Sequence, residues 1–353
     1  MSDSAELIVR EEYHESKIML TKMRSNPAQQ VAWSATLKAQ IMFLCVTTIA
    51  YSDSVSFVKH ESSMDVSING KNFATYVWED QLIPRPHFKQ VTAPNGIQVT
   101  RRYPTDPVVN KDNDDHATYH PGIWLAFGDI NGFDFWRNSA RVRHLEFVVE
   151  PEVNENMGHF TVRNVYESDD TVVCYETCRY EIRSTPHGYL LSSYSSFEMA
   201  EGEFAFGDQE EMGMGIRMAT ALTVRHGSGA IGNSRDGKNE KGTWGKPAEW
   251  CFYEGVVEEQ RTGALVIPHR TNFRSSWFHS RDYGLLVANP FGRKAMTAAR
   301  DKKASPDSTK VPKGEPFMLG FSILLYGSDA SEVYNHSAAY EDITEQWIQG
   351  IRK

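Results

Sequence analysis

The sequence predicts an all-β fold, a large antiparallel β-sandwich with a short helical segment at its C-terminal end. Three observations predict it. From about residue 61 the chain is a succession of short runs in which apolar and polar residues alternate and β-branched or aromatic residues are enriched, the pattern of half-buried strands. Turns bearing glycine and asparagine separate these runs at sandwich spacing. Helical periodicity is convincing only from Ser328 to Ile351.

The elements follow in order. Ser63 to Ile68 leads into Asn69-Gly70, a dipeptide that tolerates positive φ and so makes a tight hairpin turn, and Asn72 to Trp78 returns. A second hairpin surrounds Pro94-Asn-Gly96, within residues 88–99. Further strands are expected at 142–149, 160–165, 171–182, 188–197, 216–224, 264–268, 285–288 and 317–326. The terminal helix is expected to cap the sandwich. Three stretches break the pattern and read as long loops: 101–115, rich in Pro, Asn and Asp; 226–246, rich in Gly, Asn and Lys; and the charged 294–313. Loops of that length in a compact domain commonly carry function. No repeat or linker divides residues 53–353, so they read as one domain.

Composition narrows the function. A net charge of −9 without a basic stripe argues against a grip on nucleic-acid phosphates. No apolar run reaches the length of a membrane span. Aromatic residues make up 12% of the chain, which suits a sandwich and a carbohydrate-handling cleft.

The first 52 residues read differently. Residues 41–50 are an apolar run too short to span a bilayer, preceded by Arg24 and Lys38 and followed by the small-x-small site Ala50-Tyr51-Ser52. This is the layout of a secretory signal peptide, and Met23 is the start that gives it ordinary proportions. Residues 1–22 therefore read as an over-long start, and the mature protein as periplasmic or secreted. Removal of 1–52 takes five acids (Asp3, Glu6, Glu11, Glu12, Glu15) and five bases (Arg10, Lys17, Lys22, Arg24, Lys38), leaving the charge at −9. Cys45 would leave with the signal. Cys174 and Cys178 lie along one expected strand, about 13 Å apart and too far to bridge each other, so either could pair with Cys251.

Four constellations carry chemistry. The first runs from His116 to Trp136 and holds His116, His120, Trp124, Asp129, Asp134 and Trp136 among glycines, a composition too polar for a core segment. Pro121-Gly122 excludes a helix, so the two histidines are not a helical zinc motif. On a loop they could still ligate a divalent metal or hold a hydroxyl. The second places Asp208, Glu210 and Glu211 within four positions, with Arg217 able to neutralise one of them. Crowded carboxylates raise at least one pKa, which is how a general acid or base is made. The third, Asn239 to Tyr253, brings Trp244 for stacking and Lys246 for ligand oxygens. The fourth runs from His269 to Asn289. Period two puts Trp277, His279, Arg281 and Tyr283 on one side of a strand, a poor core but a good binding wall. Nucleotide P-loops, dinucleotide fingerprints and nucleophile elbows are absent.

With these motifs in place, the chain resembles the methane oxygenase-like (PmoA-like) family of bacterial proteins from about residue 60 to its C-terminus. The resemblance rests on the segments 120–136, 206–213, Asn239-Glu-Lys with Trp244-Gly-Lys246, and 279–284 with 288–292. It implies a supersandwich like that of galactose mutarotases and polysaccharide lyases, in the company of exported sugar enzymes. Many relatives carry a His-His-Arg turn where this chain has Tyr119-His120-Pro121, so two of the turn's side chains are missing here.

The combined expectation is an exported carbohydrate-active enzyme that uses general acid–base chemistry on a sugar or oxidised sugar, as a hydrolase, lyase or epimerase. His120 and His279 would be acid and base, with Glu210 or Glu211 as partner carboxylate. Trp124, Asp129, Arg217, Asn239, Trp244, Lys246, His269, Arg281 and Tyr283 would bind the substrate. The rivals are a non-catalytic carbohydrate-binding or envelope protein, and a metal-dependent oxygenase with His116 and His120 as ligands.

Overall fold

The structure is a computed structural model. It describes residues 54–351, apart from 109–110, 113–114, 170, 200–201 and 298–306. The signal segment expected in residues 1–52 lies outside the described residues.

Two large antiparallel sheets form the fold. One runs, edge to edge, β1 (Val55–Lys59), β2 (Ser63–Ile68), β3 (Lys71–Val77), β4 (His87–Lys89), β5 (Ile123–Phe127), β11 (Met212–Arg217), β17 (Leu285–Asn289), β16 (Trp277–Arg281) and β13 (Lys246–Pro247). The other runs β12 (Ala230–Asn233), β14 (Cys251–Val257), β15 (Gln260–Pro268), β19 (Phe317–Asp329), β9 (Gly188–Glu198), β8 (Thr171–Thr185), β7 (Met157–Ser168) and β6 (Arg141–Asn154). β10 (Phe204–Phe206) and β18 (Thr309–Val311) pair as a small ribbon. The helices are α1 (Asn239–Thr243) and α2 (His336–Ile351). The expected β-sandwich with a C-terminal helix is what the chain forms.

The alternating side chains divide cleanly. Ile123, Leu125 and Phe127 of β5 and Met212, Met214 and Ile216 of β11 meet Cys178, Tyr180 and Ile182 of β8 in the core between the sheets. Trp124 and Ala126 point the other way and form a separate cluster with Trp136, Leu285 and Val287 on the outer face of the nine-stranded sheet. Every residue of β5, β11 and β17 is buried, so these central strands are covered on both faces. On the outer face of the other sheet, α2 packs Ala339, Tyr340, Ile343 and Trp347 against Leu190, Leu265, Ile267 and Leu324. Asn69 and Gly70 both take positive φ in the β2–β3 turn, as the dipeptide requires.

Five expectations need correction, the first being that the charged stretch 294–313 contains β18 (Thr309–Val311) rather than loop alone. The strand read at 216–224 ends at Arg217, and Thr220–Leu222 is a 3₁₀ turn that Thr223 closes by bonding the Thr220 carbonyl. The helix read from Ser328 begins at His336, because β19 continues to Asp329 and Asn335 caps the first turn through the Ala338 N–H. The stretch 226–246 contains β12, α1 and the first residue of β13 rather than loop alone. Cys174, Cys178 and Cys251 are all buried free thiols, so the disulfide to Cys251 does not form.

Candidate functional site

Strand register sets the site on the outer face. Trp124 of β5 stands opposite Gly215, Gly215 opposite Val287, and Val287 opposite His279. In the next outward row Arg217 stands opposite Leu285, and Leu285 opposite Arg281. Adjacent strands lie about 4.8 Å apart, so the two arginines rise from backbones about 10 Å apart with one leucine between them. Gly215 keeps this floor open. A Cβ there would sit 2.8 Å from the Trp124 ring, so the bare backbone is what lets the indole lie across β11.

Arg217 anchors one cluster. Its guanidinium is 2% exposed and donates to both oxygens of Asp115, 3.0 Å each. Arg101, equally buried, donates to the Asp115 backbone carbonyl at 2.9 Å and ion-pairs with its carboxylate. Arg217 also donates to His120 Nδ1 at 3.4 Å and lies over the Tyr283 ring at 4.5 Å. His120 is sandwiched between the His116 ring at 5.1 Å and the Trp124 indole at 5.2 Å. Burial first, and then the Arg217 charge, push the His120 pKa well below the usual imidazole value. It is a neutral acceptor. The loop that carries these groups is stitched by Arg85, a buried guanidinium that donates to the carbonyls of Trp136 (3.1 Å), Phe135, Thr118 and Tyr119 and to Asn138.

Arg281 anchors the other cluster. It donates to Glu240 at 2.9 Å, to Glu210 at 3.1 Å and, through Nε, to His279 Nε2 at 3.0 Å. His279 Nδ1 donates to the Glu210 backbone carbonyl at 2.9 Å, so both of its ring nitrogens are committed. Burial and then the Arg281 charge depress its pKa to about 3. Glu240 accepts the Asp282 N–H at 3.0 Å while its own N–H donates to the Asp282 carboxylate, which docks α1 on the β16–β17 turn. Glu211 ion-pairs with Arg137 at 2.6 Å. The two carboxyls that share Arg281 are pushed in opposite directions. Burial and then Glu211 raise the Glu210 pKa. For Glu240 burial opposes ionisation, but the Asp282 N–H and Arg281 outweigh it and the pKa is lowered.

Tyr283 joins the clusters. Arg217 and Arg225 lie over its ring, at 4.5 and 5.7 Å, and burial raises its pKa. His120, His279, Glu210, Glu211, Trp124, Arg217, Arg281, Trp244 and Tyr283 thus share one face, with Trp244 beneath the Arg281 guanidinium at 5.3 Å. His116 rims it, half exposed.

The remaining expected residues lie elsewhere. Asp129 caps Gly132 N–H in a turn, and Asn239 accepts the Ile231 N–H. Lys246 lines a separate cavity beside α1, and His269 lines another with Arg270 and Tyr340. Two expected roles do not hold. Trp124 offers no ligand surface, because it is 2% exposed with His120 on its face. Arg217 does not neutralise the 208–211 carboxylates; Asp115 holds it, while Asp208 accepts the backbone N–H groups of Lys294, Ala295 and Asp307. Sequence reasoning missed Arg85, Arg101, Asp115, Arg137 and Glu240. Only Glu240 had a signal, its place in the Asn239-Glu-Lys motif.

The residues do not fit the metal expectation. Among the described residues no three or more His, Cys, Asp or Glu side chains cluster to hold a metal ion. His116 and His120 meet ring on ring, and Arg217, Arg101 and Arg85 all disfavour positive charge at His120.

A family model matches residues 63–338, a span that includes both clusters. The chain belongs to the DUF6807 family. That family is described as one of unknown function, and it is this model rather than a methane oxygenase-like one that the chain matches. No curated protein matches the chain. Among solved structures it is similar to a galactose mutarotase-like protein from Clostridium acetobutylicum, at 8% identity and TM-score 0.42 over 79% of this chain and 99% of that one. A galactose mutarotase related enzyme from Lactobacillus acidophilus aligns at 11% identity and TM-score 0.32, over 79% and 99%. A galactose mutarotase-like protein from Lactobacillus casei aligns at 7% identity and TM-score 0.36, over 77% and 100%.

Proposed function

We propose that the outer face of the nine-stranded sheet binds a sugar or oxidised sugar and performs general acid–base chemistry on it. One observation carries this reading: Glu210 and Glu240 share the Arg281 guanidinium while their pKa values are pushed apart. Two carboxyls driven in opposite directions make an acid and a base on one substrate. Glu210, whose pKa is raised, is the candidate proton donor, and Glu240, whose pKa is lowered, is the candidate base. Arg281 orients both and presents N–H groups to ligand oxygens. Half-buried Tyr283 and Trp244 supply flat apolar faces for a pyranose ring. His120 and His279, first expected as acid and base, serve instead as neutral supports that fix Arg217 and Arg281.

The test is a panel of neutral and oxidised sugars, assayed for both binding and turnover. Glu210→Gln should lower turnover at least 100-fold while changing affinity less than about threefold, within the range for loss of a general acid. Arg281→Ala should remove both. No binding by any sugar would end the proposal. Binding without turnover would leave the non-catalytic carbohydrate-binding reading, which the committed ring nitrogens of His279 favour. Export of the chain is a further part of this reading, and N-terminal sequencing of the mature protein from cell fractions checks it.

A further inference from the structure

A cavity of about 620 Å³ lies beside α1. Arg235, Lys238, Lys241 and Lys246 line it, with Asp236 as the single acid. In a chain of net charge −9 this is a local reversal of sign. Arg235 has a counter-ion, Glu249 at 2.7 Å. Among the described residues Lys238, Lys241 and Lys246 have none.

Behind this wall the amide of Asn233 is fixed in place. Asn233 is buried, and its Oδ1 accepts the Arg235 and Gly237 N–H groups at 3.0 and 2.9 Å. That fixes the orientation of the amide and leaves Nδ2 as a buried N–H₂ without a partner. Three ammonium groups without counter-ions on one cavity wall point to a ligand that carries negative charge. A cavity lined by donors and cations, with one carboxylate, selects an anion.

We propose that this cavity binds a phosphate group, either free or as the phosphate of a small ester. α1 ties it to the face described above, since Glu240 of α1 holds Arg281 while Lys241, its neighbour, faces the cavity. The proposal stands without the sugar chemistry.

The full chain is titrated calorimetrically with inorganic phosphate and, separately, with a sugar phosphate and its unphosphorylated sugar. Phosphate should bind saturably at one site, and Lys241→Ala/Lys246→Ala should weaken it at least tenfold without changing the thermal midpoint measured in phosphate-free buffer. Asn233→Asp, which replaces the donor with a like charge, should weaken it further. Arg281→Ala should bind phosphate as the parent does, which separates this site from the sugar face. Tighter binding of the sugar phosphate than of inorganic phosphate would identify an ester as the ligand, and equal binding the free ion. Absence of saturable binding, or binding that survives the double lysine variant, overturns the proposal.

Discussion

The Arg217 and Arg281 clusters place the same pair of side chains, an arginine donating to a buried histidine, on opposite sides of Leu285. Their charge balance is inverted. At Arg217 two arginines share one carboxylate, Asp115; at Arg281 two carboxylates share one arginine. Their burial differs too, 2% exposed for the Arg217 side chain against 28% for Arg281. In both, burial first and then the arginine keep the histidine neutral. The difference teaches that one motif serves two ends. Sealed from water it is an anchor for the loop that begins at Asp115. Opened to water, it holds two carboxyls whose pKa values are pushed in opposite directions.

Stability should separate the two most sharply. Arg217→Ala should cost about 3 kcal/mol in urea unfolding, because it removes a buried charge that a carboxylate, a histidine and an aromatic ring all use. Arg281→Ala, half-open to solvent, should cost about 1 kcal/mol or less. Equal costs would break the comparison.

Acid should come next. Both histidines have folded pKa values below the unfolded value near 6.5, so the unfolded chain takes up protons first as pH falls. Their contribution to stability is complete above about pH 6.5 and declines below it, down to about pH 3 for His279. Between pH 7.5 and 5 the loss should be about 2 kcal/mol for His279 alone. Denaturation of His279→Gln at both pH values should show a difference smaller by that amount. An unchanged difference would mean that His279 does not resist protonation.

Gly215→Ala should cost about 1.5 kcal/mol by pushing a Cβ into the Trp124 ring that carries His120. A neutral result would show that the indole can move, and that the Arg217 cluster is less rigid than its burial implies. The smallest shift should come from Tyr283→Phe, which keeps the ring against Arg217 and should change stability by less than about 0.5 kcal/mol.

Period-two patterning made much of the fold readable. It placed the hairpin at Asn69-Gly70 and the long strands β6 to β9, most clearly β8, whose buried positions alternate with half-buried ones. It put Trp277, His279 and Arg281 on one side, which is how β16 presents them. It failed where local hydrogen bonds override propensity. Thr223 turns the chain at Thr220–Leu222, and Asn335 starts α2 late. The site was legible as composition: histidines, tryptophans and crowded carboxylates marked the right segments. Roles were not legible, because a role depends on what fills the other side of a ring. Nothing in the local sequence of Trp124 shows His120 lying on its face, and nothing near His279 shows Arg281 occupying one nitrogen and the Glu210 carbonyl the other.

The sequence by itself determined an antiparallel β-sandwich, its main turns, and the segments in which polar chemistry concentrates. These are local properties, set by alternation, by φ preference and by which side chains carry charge. Tertiary structure alone decided which carboxylate meets which arginine. Asp115 and Arg217 are 102 residues apart, and Glu210 and Arg281 are 71 apart. Strand order in the sheet brings them within hydrogen-bond distance, and burial then sets the direction in which each group titrates.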